Sequence, residues 1–472
     1  MSPKPVTPGR TARLLYLVEP AAPVFLLLNV VFILAYALGA TETWPPLASL
    51  PATIAVLLLW GRLSATAHRV VMLSLLAVAL GTTFLDPHLA AQARALHQAC
   101  SFVALMTVLG TFKRVLTPLD KVVEAFGFVM SQPPRLRFGL VQYMGHFFAL
   151  LINLSVIPLF GALSGRKGQA DQPANHDAVV LGAMRGATMV ALWSPFSIGF
   201  AVVSQSIPTL DPVRFMLEAG LFSSAVLWVS ARFHLLPAPL ATPRPPERSH
   251  FHRPSGRERT AVLQLGGLAA AMLCLLVTMH EFTGVAFSAL SILTVCVAIA
   301  AVLLTAGRAA LAGDKPVEVI RSGTTEMINE ATVVSAAAVI GAELSVLLNQ
   351  SGLLDAMLGQ ELPVTITLVG MVMLAGLIAL AWIPTSVVVV TLAQMVGNTP
   401  LGQENPQAFA LTLGMCWIVS VLLSPVSGMS VVTARVCGVS TSDIIFRWNR
   451  SFTTLVVLTG CAFIWLIATM TT

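Results

Sequence analysis

The sequence predicts an all-α polytopic membrane protein built from two inverted-topology repeats with broken or re-entrant helices. Composition carries the first half of that prediction: of 472 residues, 56% are hydrophobic and only 10% are charged, and the mean hydropathy is +0.84. Soluble globular proteins carry about 25% charged residues. The apolar runs reach the roughly 20 residues that a helix needs to cross a bilayer. Because a spanning backbone must satisfy its own hydrogen bonds, helices are expected.

A pair of matching breaks, one in each half, carries the second part of the prediction. Residues 192–197 read LWSPFS and residues 423–428 read LSPVSG, each inside a long apolar stretch. Proline lacks a backbone N–H and disfavours helix at the residue before it. Helices broken at corresponding positions of two halves are typical of transporters that bind their cargo near the bilayer midplane. The predicted substrate and ion ligands here are Ser194, Pro195, Ser197, Ser424, Pro425, Ser427 and Gly428.

A second pair of prolines supports the repeat. Pro158 lies 37 residues before Pro195, and Pro384 lies 41 residues before Pro425. Polar residues adjoin both, Asn153 and Ser155 on one side and Thr385 and Ser386 on the other. Pro384, Thr385 and Ser386 are therefore added to the predicted ligands, with helix packing by small polar residues as the alternative.

A hydrophilic linker divides the chain into three parts. Residues 236–259 contain six prolines and five arginines, a composition typical of a loop. Residues 1–235 form the predicted N-terminal membrane repeat with an extra first helix, and 260–472 form the C-terminal repeat. The excess of Arg in the linker and in the N-terminal tail places both in the cytoplasm, in a multi-pass protein of the inner (cell) membrane of bacterial type.

The charge pattern predicts about eleven crossings plus two hairpins. Residues 138–163 are expected to cross outward, and the linker must then be reached by an odd number of crossings. We therefore expect 178–206 to enter from outside, bend near Ser194 and return, and 408–437 to do the same from inside near Ser424. The C-terminus is expected outside.

Ionisable residues inside apolar segments are costly and mark functional hypotheses. Glu330 and Glu343 are candidate proton carriers, and Arg185 is a candidate for neutralising an anion or a buried acid. For Glu326 and Glu330 the alternative is pairing with Arg321 at the interface; for Arg185 it is a structural pair. His146 and Glu218 also lie within predicted crossings.

Other chemistry leaves no trace in the sequence. Walker, GxSxG and HExxH motifs are absent, so the chain is not predicted to be an enzyme, and the six scattered cysteines lack metal-ligand spacing. No cofactor or metal is expected beyond a transported Na⁺ or H⁺. The basic balance is a topology signal, so no nucleic acid is expected as a partner.

The C-terminal quarter resembles a known family. Residues 363–470 run through IPT at 383–385, GNTPLG at 397–402, LSPVSGM at 423–429 and VCGVS at 436–440. This pattern resembles the large membrane subunit of TRAP-type dicarboxylate transporters and, more distantly, the divalent anion/sodium symporters of the ion transporter superfamily. The resemblance implies an inverted-repeat scaffold, elevator-like motion and Na⁺- or H⁺-coupled movement of small organic anions.

Three functions follow, and the sequence leaves them open. The first is a secondary transporter for a small, carboxylate-like organic anion in the lipid bilayer. The second is a cation/proton antiporter on the same scaffold, using Glu330 or Glu343. The third is an intramembrane enzyme or a membrane assembly factor. A homodimer, and a small membrane subunit or binding protein not encoded in this chain, are compatible partners.

Overall fold

The computed structural model describes residues 19–39, 46–85, 89–165, 173–233, 235–237, 240, 254–352 and 362–471. Within these ranges every regular element is a helix, and ten helices are long and apolar enough to cross a membrane. The predicted all-α multi-pass membrane fold is confirmed. Most of the 236–259 linker lies outside the described residues, so its structure stays untested.

One group of helices forms a frame on either side of the linker. They are α1 (Ala22–Ala37), α2 (Leu50–Leu58), α3 (Ala65–Phe84), α4 (Leu89–Leu116), α5 (Asp120–Met130), α11 (Gly256–Thr283), α12 (Phe287–Ala306), α13 (Pro316–Thr325) and α14 (Ile328–Gln350). Short 3₁₀ segments join some of them, at Glu19–Ala21, Pro46–Ser49, Trp60–Arg62 and Gly307–Leu311.

The remaining helices are the parts of the predicted repeats 1–235 and 260–472 that carry the breaks, and we call these parts the first and the second repeat. The first contains α6 (Pro134–Ile152), α7 (Val156–Ser164), α8 (Pro173–Val190), α9 (Ile198–Ser206) and α10 (Pro212–Arg232), with a 3₁₀ turn at Asn153–Ser155. The second contains α15 (Val364–Leu380), α16 (Thr385–Val396), α17 (Pro400–Glu404), α18 (Pro406–Leu423), α19 (Gly428–Cys437) and α20 (Arg450–Thr471), with a π-helical segment at Asp443–Trp448.

Local sequence sets several helix ends. Ser255 and Glu258 form a reciprocal capping box at the start of α11, and Gly284 ends that helix in the left-handed conformation with φ 66°. Asp211 accepts hydrogen bonds from the first backbone N–H groups of α10. These caps fix where α10 and α11 begin. We call the membrane face on which α10 ends and α11 begins the linker face.

Helices α6 and α7 fold back on each other and form the first hairpin. Helices α6 and α8 both run antiparallel to α10, so they run parallel to each other. Helix α7 runs antiparallel to α8 and therefore also to α6. The chain therefore reverses at Asn153–Ser155, and the hairpin opens on the linker face. The contacts of α10 with α6 are Gly139–Ala231 and Tyr143–Ser224, and its contacts with α8 are Met189–Ser223 and Trp193–Gly220. The contacts between α7 and α8 are Gly161–Val180 and Ser164–His176.

Helices α15 and α16 have the corresponding neighbours in the second repeat. Helix α15 packs on α18 and α20 as α6 packs on α8 and α10, and α16 packs on α9 as α7 packs on α19. The end of α16 lies at the end of α9, where Gly397 contacts the Ser206 carbonyl. We therefore interpret α15 and α16 as the second hairpin, which opens on the face opposite the linker.

The two predicted re-entrant segments instead cross the membrane. The start of α8 contacts the end of α19 through Asp177 and Cys437, whereas the end of α9 contacts Gln98 and Gly397 at the opposite face. Segments 178–206 and 408–437 are thus broken spanning helices. The expected hairpins are found one element earlier, so the expectation that 138–163 crosses outward was also wrong.

The two errors cancel in the topology. A hairpin adds no crossing and a broken helix adds one, so exchanging them leaves the parity unchanged. Charge counting fixes parity but cannot tell which of two adjacent apolar segments turns back. Helix α20 starts at the linker face and ends at the other, which agrees with a C-terminus opposite the linker.

Candidate functional site

The two breaks repeat the same hydrogen bonds at residues 230 positions apart. At the first break, the Ser197 hydroxyl donates to the Ala191 carbonyl at 3.1 Å and accepts from the Phe200 N–H at 3.2 Å. The Ser194 hydroxyl accepts from the Phe196 N–H at 3.2 Å. This arrangement ends α8, turns the chain and caps α9.

The second break shows the corresponding bonds. The Ser427 hydroxyl donates to the Val421 carbonyl at 2.9 Å and accepts from the Ser430 N–H at 3.2 Å. The Ser424 hydroxyl accepts from the Val426 N–H at 3.4 Å. The serines predicted as ligands therefore also hold the breaks open, because they satisfy backbone groups that Pro195 and Pro425 leave without helical partners.

The flanks of the breaks differ. Ser194, Pro195 and Ser197 are buried, whereas Val426 is 38% exposed and Gly428 is exposed. Helix α9 presents Phe200 where α19 presents Ser430, whose hydroxyl lies 2.9 Å from that of Ser427. One break is thus packed in apolar surroundings and the other is more polar and open.

The tip of the first hairpin approaches the second break. A Cβ placed on Gly428 would lie 3.2 Å from the Leu154 side chain, so the tip of the first hairpin rests on the second break. Both tips contain a non-glycine residue in the left-handed region, Asn153 with φ 53° and Trp382 with φ 66°. Such positions are strained and often mark functional turns.

Structure corrects the pairing of the outer prolines. Pro158 does not break a helix, since it lies in the first turn of α7, where proline is tolerated. The tip itself is Asn153–Ser155, and its counterpart is the segment that ends at Pro384. Thr385 and Ser386 open α16, and the buried Thr385 hydroxyl has no hydrogen-bond partner among the described residues. The sequence pattern alone could not show that the chain reverses at Asn153 and not at Pro158, five residues later.

The two broken helices lie side by side and antiparallel. Leu192 contacts Gly414, Gly199 lies against Trp417, and Asp177 meets Cys437. These contacts place both breaks in the middle stretch of the paired helices, away from either end. The distance between Ser194 and Ser424, and the predicted cavity between them, stay predictions.

Arg185 lies away from the breaks, near the linker face. Its guanidinium is fully buried and donates to the Asn449 side chain at 2.9 Å and to the Leu235 and Trp448 carbonyls at 2.7 and 2.8 Å. The guanidinium carbon of Arg185 lies 4.9 Å from the centre of the Phe452 ring. No carboxylate of the described residues forms an ion pair with it. Arg185 therefore joins α8 of one repeat to the α19–α20 corner of the other, and its role in charge coupling stays a prediction.

Two substitutions of Arg185 are expected to lower the stability of the protein to different extents. Arg185→Lys keeps a buried cation but cannot reach three acceptors, whereas Arg185→Met removes the cation whose burial is costly. Thermal unfolding in detergent should therefore give wild type above Arg185→Met and Arg185→Met above Arg185→Lys, with a loss of about 3 kcal/mol for Lys. The exposed Arg232→Lys is the control. If Arg185→Lys were as stable as the wild type, the hydrogen bonds of Arg185 would not hold the two repeats together.

The predicted acids are also dispersed. Glu343 is buried on α14, accepts from Gln92 at 2.9 Å, and borders a cavity of about 440 Å³ between α3 and α14. Glu330 is exposed near the linker-face end of the same helix. Glu326 pairs with Lys113 at 2.5 Å, not with Arg321 as one alternative held. Both predicted proton carriers lie on the frame helix α14, whereas the breaks lie in the repeats.

His146 forms a hydrogen-bond network with Trp193 and Gly186. The Trp193 indole donates to His146 Nε2 at 2.9 Å, and His146 Nδ1 lies 3.0 Å from the Gly186 carbonyl. These two bonds fix the neutral tautomer with its proton on Nδ1. His146 thus ties the first hairpin to the first break. The only sequence signal was an imidazole inside an apolar segment.

Comparison with known proteins places the fold. No protein-family model matches the chain, and no curated protein matches it in sequence. The YdaH transporter of Alcanivorax borkumensis, described as having an unusual topology, shares the fold with a TM-score of 0.56 at 14% identity, over 86% of this chain and 98% of its own. MtrF of Neisseria gonorrhoeae, described as illuminating a class of antimetabolite efflux pumps, gives 0.51 at 15% identity, over 96% and 97%.

The described residues thus define a multi-pass α-helical membrane protein with the fold of these two transporters. At this identity the likeness shows the fold alone. The narrower resemblance to TRAP-type subunits and to the ion transporter superfamily stays a prediction.

Proposed function

We propose that this chain is a secondary transporter that moves a small, carboxylate-like organic anion across the inner membrane of a bacterium. The observation that carries the proposal is the duplicated break, with matched serine hydrogen bonds at Ser197 and Ser427 in two antiparallel broken helices. A membrane protein tolerates unwound backbone only where it is buried in protein or lines a wet cavity. The half-helices α9 and α19 begin at these breaks, and helix N-termini favour a carboxylate.

We further propose elevator-like alternating access coupled to Na⁺ or H⁺. Support comes from the two hairpins, which open on opposite faces. The linker and N-terminus are proposed to be cytoplasmic, because Arg435 and Arg447 lie at the linker face. Impermeant labelling of a cysteine placed in the linker checks this orientation, and labelling from outside in intact cells would contradict it.

Counterflow in proteoliposomes tests transport directly. We expect a panel of radiolabelled mono- and dicarboxylates to include at least one whose exchange needs the protein and responds to an imposed Na⁺ or proton gradient. Protein-free liposomes and liposomes containing a variant with both Ser197→Ala and Ser427→Ala are the controls. Equal fluxes in wild-type and double-variant liposomes for every anion would contradict the proposed site.

A cation/proton antiporter is the second candidate, favoured by the buried Glu343 beside an apolar cavity. It predicts Na⁺-dependent pH changes inside the liposomes without any organic anion. Those changes should disappear in Glu343→Gln. The absence of Na⁺-dependent pH changes in the wild-type protein would exclude this candidate.

A further inference from the structure

A buried polar cluster joins both repeats to one turn of the frame helix α4. The Gln98 carboxamide oxygen accepts from the Gln394 side chain of α16, and its nitrogen donates to the Ser206 hydroxyl of α9 at 3.4 Å. One turn further along, the Ser101 hydroxyl accepts from the Gln205 side chain at 3.2 Å. Gln98 and Ser101 are 6% and 3% exposed, so water does not compete strongly for these bonds.

The position of this cluster is specific. Helix α9 belongs to the first repeat and α16 to the second, and their ends meet where Gly397 contacts the Ser206 carbonyl. Gln98 therefore bonds an element of each repeat at the face opposite the linker. At the linker face, the corresponding ends of α7 and α19 meet through Gly161 and Val436. Among the described residues those ends make no side-chain hydrogen bond to α4 or α14.

We infer that Gln98 is a positioning residue: with Gln394 and Ser206 it forms a latch that holds the two repeats against the frame in this one conformation. The latch rests on the proposed alternating-access function, since breaking it is a step of that cycle. Gln98 suits the role because one side chain accepts from one repeat and donates to the other. Sliding the repeats along α4 separates Gln98 from both Gln394 and Ser206 at once.

Frame helices keep their own contacts when the latch opens. The Ser335 hydroxyl of α14 donates to the Ala99 carbonyl of α4 at 2.9 Å, at the same depth in the membrane as Gln98. Both partners belong to the frame, so this bond does not report on the position of the repeats. Ser335 therefore supplies a matched control for loss of one buried hydrogen bond.

Hydrogen exchange of the full-length protein, followed by mass spectrometry, tests the latch without a known cargo. Gln98→Leu should speed exchange at the ends of α9 and α16 and alter exchange at the ends of α7 and α19 on the far face. The ratio of states should change by roughly threefold to tenfold, because interhelical hydrogen bonds in membranes contribute little each. Ser335→Ala should leave the far face unchanged.

A double variant separates a latch from ordinary packing. Gln98→Leu combined with Gln394→Leu removes the unpaired amide left by the single change, so the melting temperature should recover. The altered exchange at the far face should persist, because the hydrogen bonds are still missing. Unaltered far-face exchange in both variants, or its return to wild type together with the melting temperature, would overturn the latch. Failure of the transport assay with altered far-face exchange would instead remove the proposed function and leave a two-state element.

Discussion

Ser427→Ala should lower transport turnover by roughly tenfold or more while leaving the protein folded. The change leaves the Val421 carbonyl without its donor at 2.9 Å and α19 without its cap. The break is then free to relax, and the half-helix that faces the proposed cargo loses its fixed direction. Counterflow per mole of purified protein measures the effect.

Two further variants make this prediction selective. Ser427→Thr keeps the hydroxyl and should retain most turnover. Ser291→Ala removes an equally buried hydroxyl whose bond to the Phe287 carbonyl lies inside an unbroken helix, and it should be nearly neutral. If Ser427→Ala transports as well as Ser291→Ala does, the second break is only a kink.

Gly186→Ala is expected to destabilise the packing of α8 against the first hairpin strongly. A Cβ at this position would lie 2.6 Å from the His146 backbone nitrogen and would collide with the Gln142 carbonyl oxygen. Both neighbours are backbone atoms of α6, so no side-chain rotation relieves the contact. Overpacking of this kind costs typically 1–3 kcal/mol. A lower melting temperature in detergent is the expected readout.

The matched control for Gly186 is Gly267, an exposed glycine of α11 with nothing within 4 Å of its Cβ position. Gly267→Ala should leave stability unchanged or raise it by up to about 1 kcal/mol, since alanine favours helix. Equal melting temperatures for the two variants would mean that α6 and α8 are not in close contact in the membrane.

Sequence reasoning could predict the breaks but not the hairpins. Ser-Pro at residues 194–195 and 424–425 removes helical hydrogen bonds wherever it occurs, so the breaks follow from local chemistry. Whether the chain then continues or turns back depends on neighbours hundreds of residues away, such as Gly428 beneath Leu154. The tip at Asn153–Ser155 carries no proline, and its positive φ appears only in the fold.

Residues with long-range partners were the hardest to interpret. For Arg185 the sequence leaves open an anion, a buried acid or a structural pair, because its acceptors come from residues 235, 448 and 449, far along the chain. Gln98 could not be singled out from the sequence, because a single amide in an apolar helix has no local signature. Only the fold brings Ser206 and Gln394 to it.

The two hairpins open on opposite faces, so each membrane face has one hairpin of its own. We expect the first hairpin to open toward the linker face and the second toward the other face, because the two hairpins enter from opposite sides. A bulky reagent that cannot cross the membrane therefore meets one hairpin first, according to the side on which it is applied. Blocking either hairpin should trap the protein in a different conformation. Inhibitors that act from the two sides should therefore differ in shape and should not compete for one pocket.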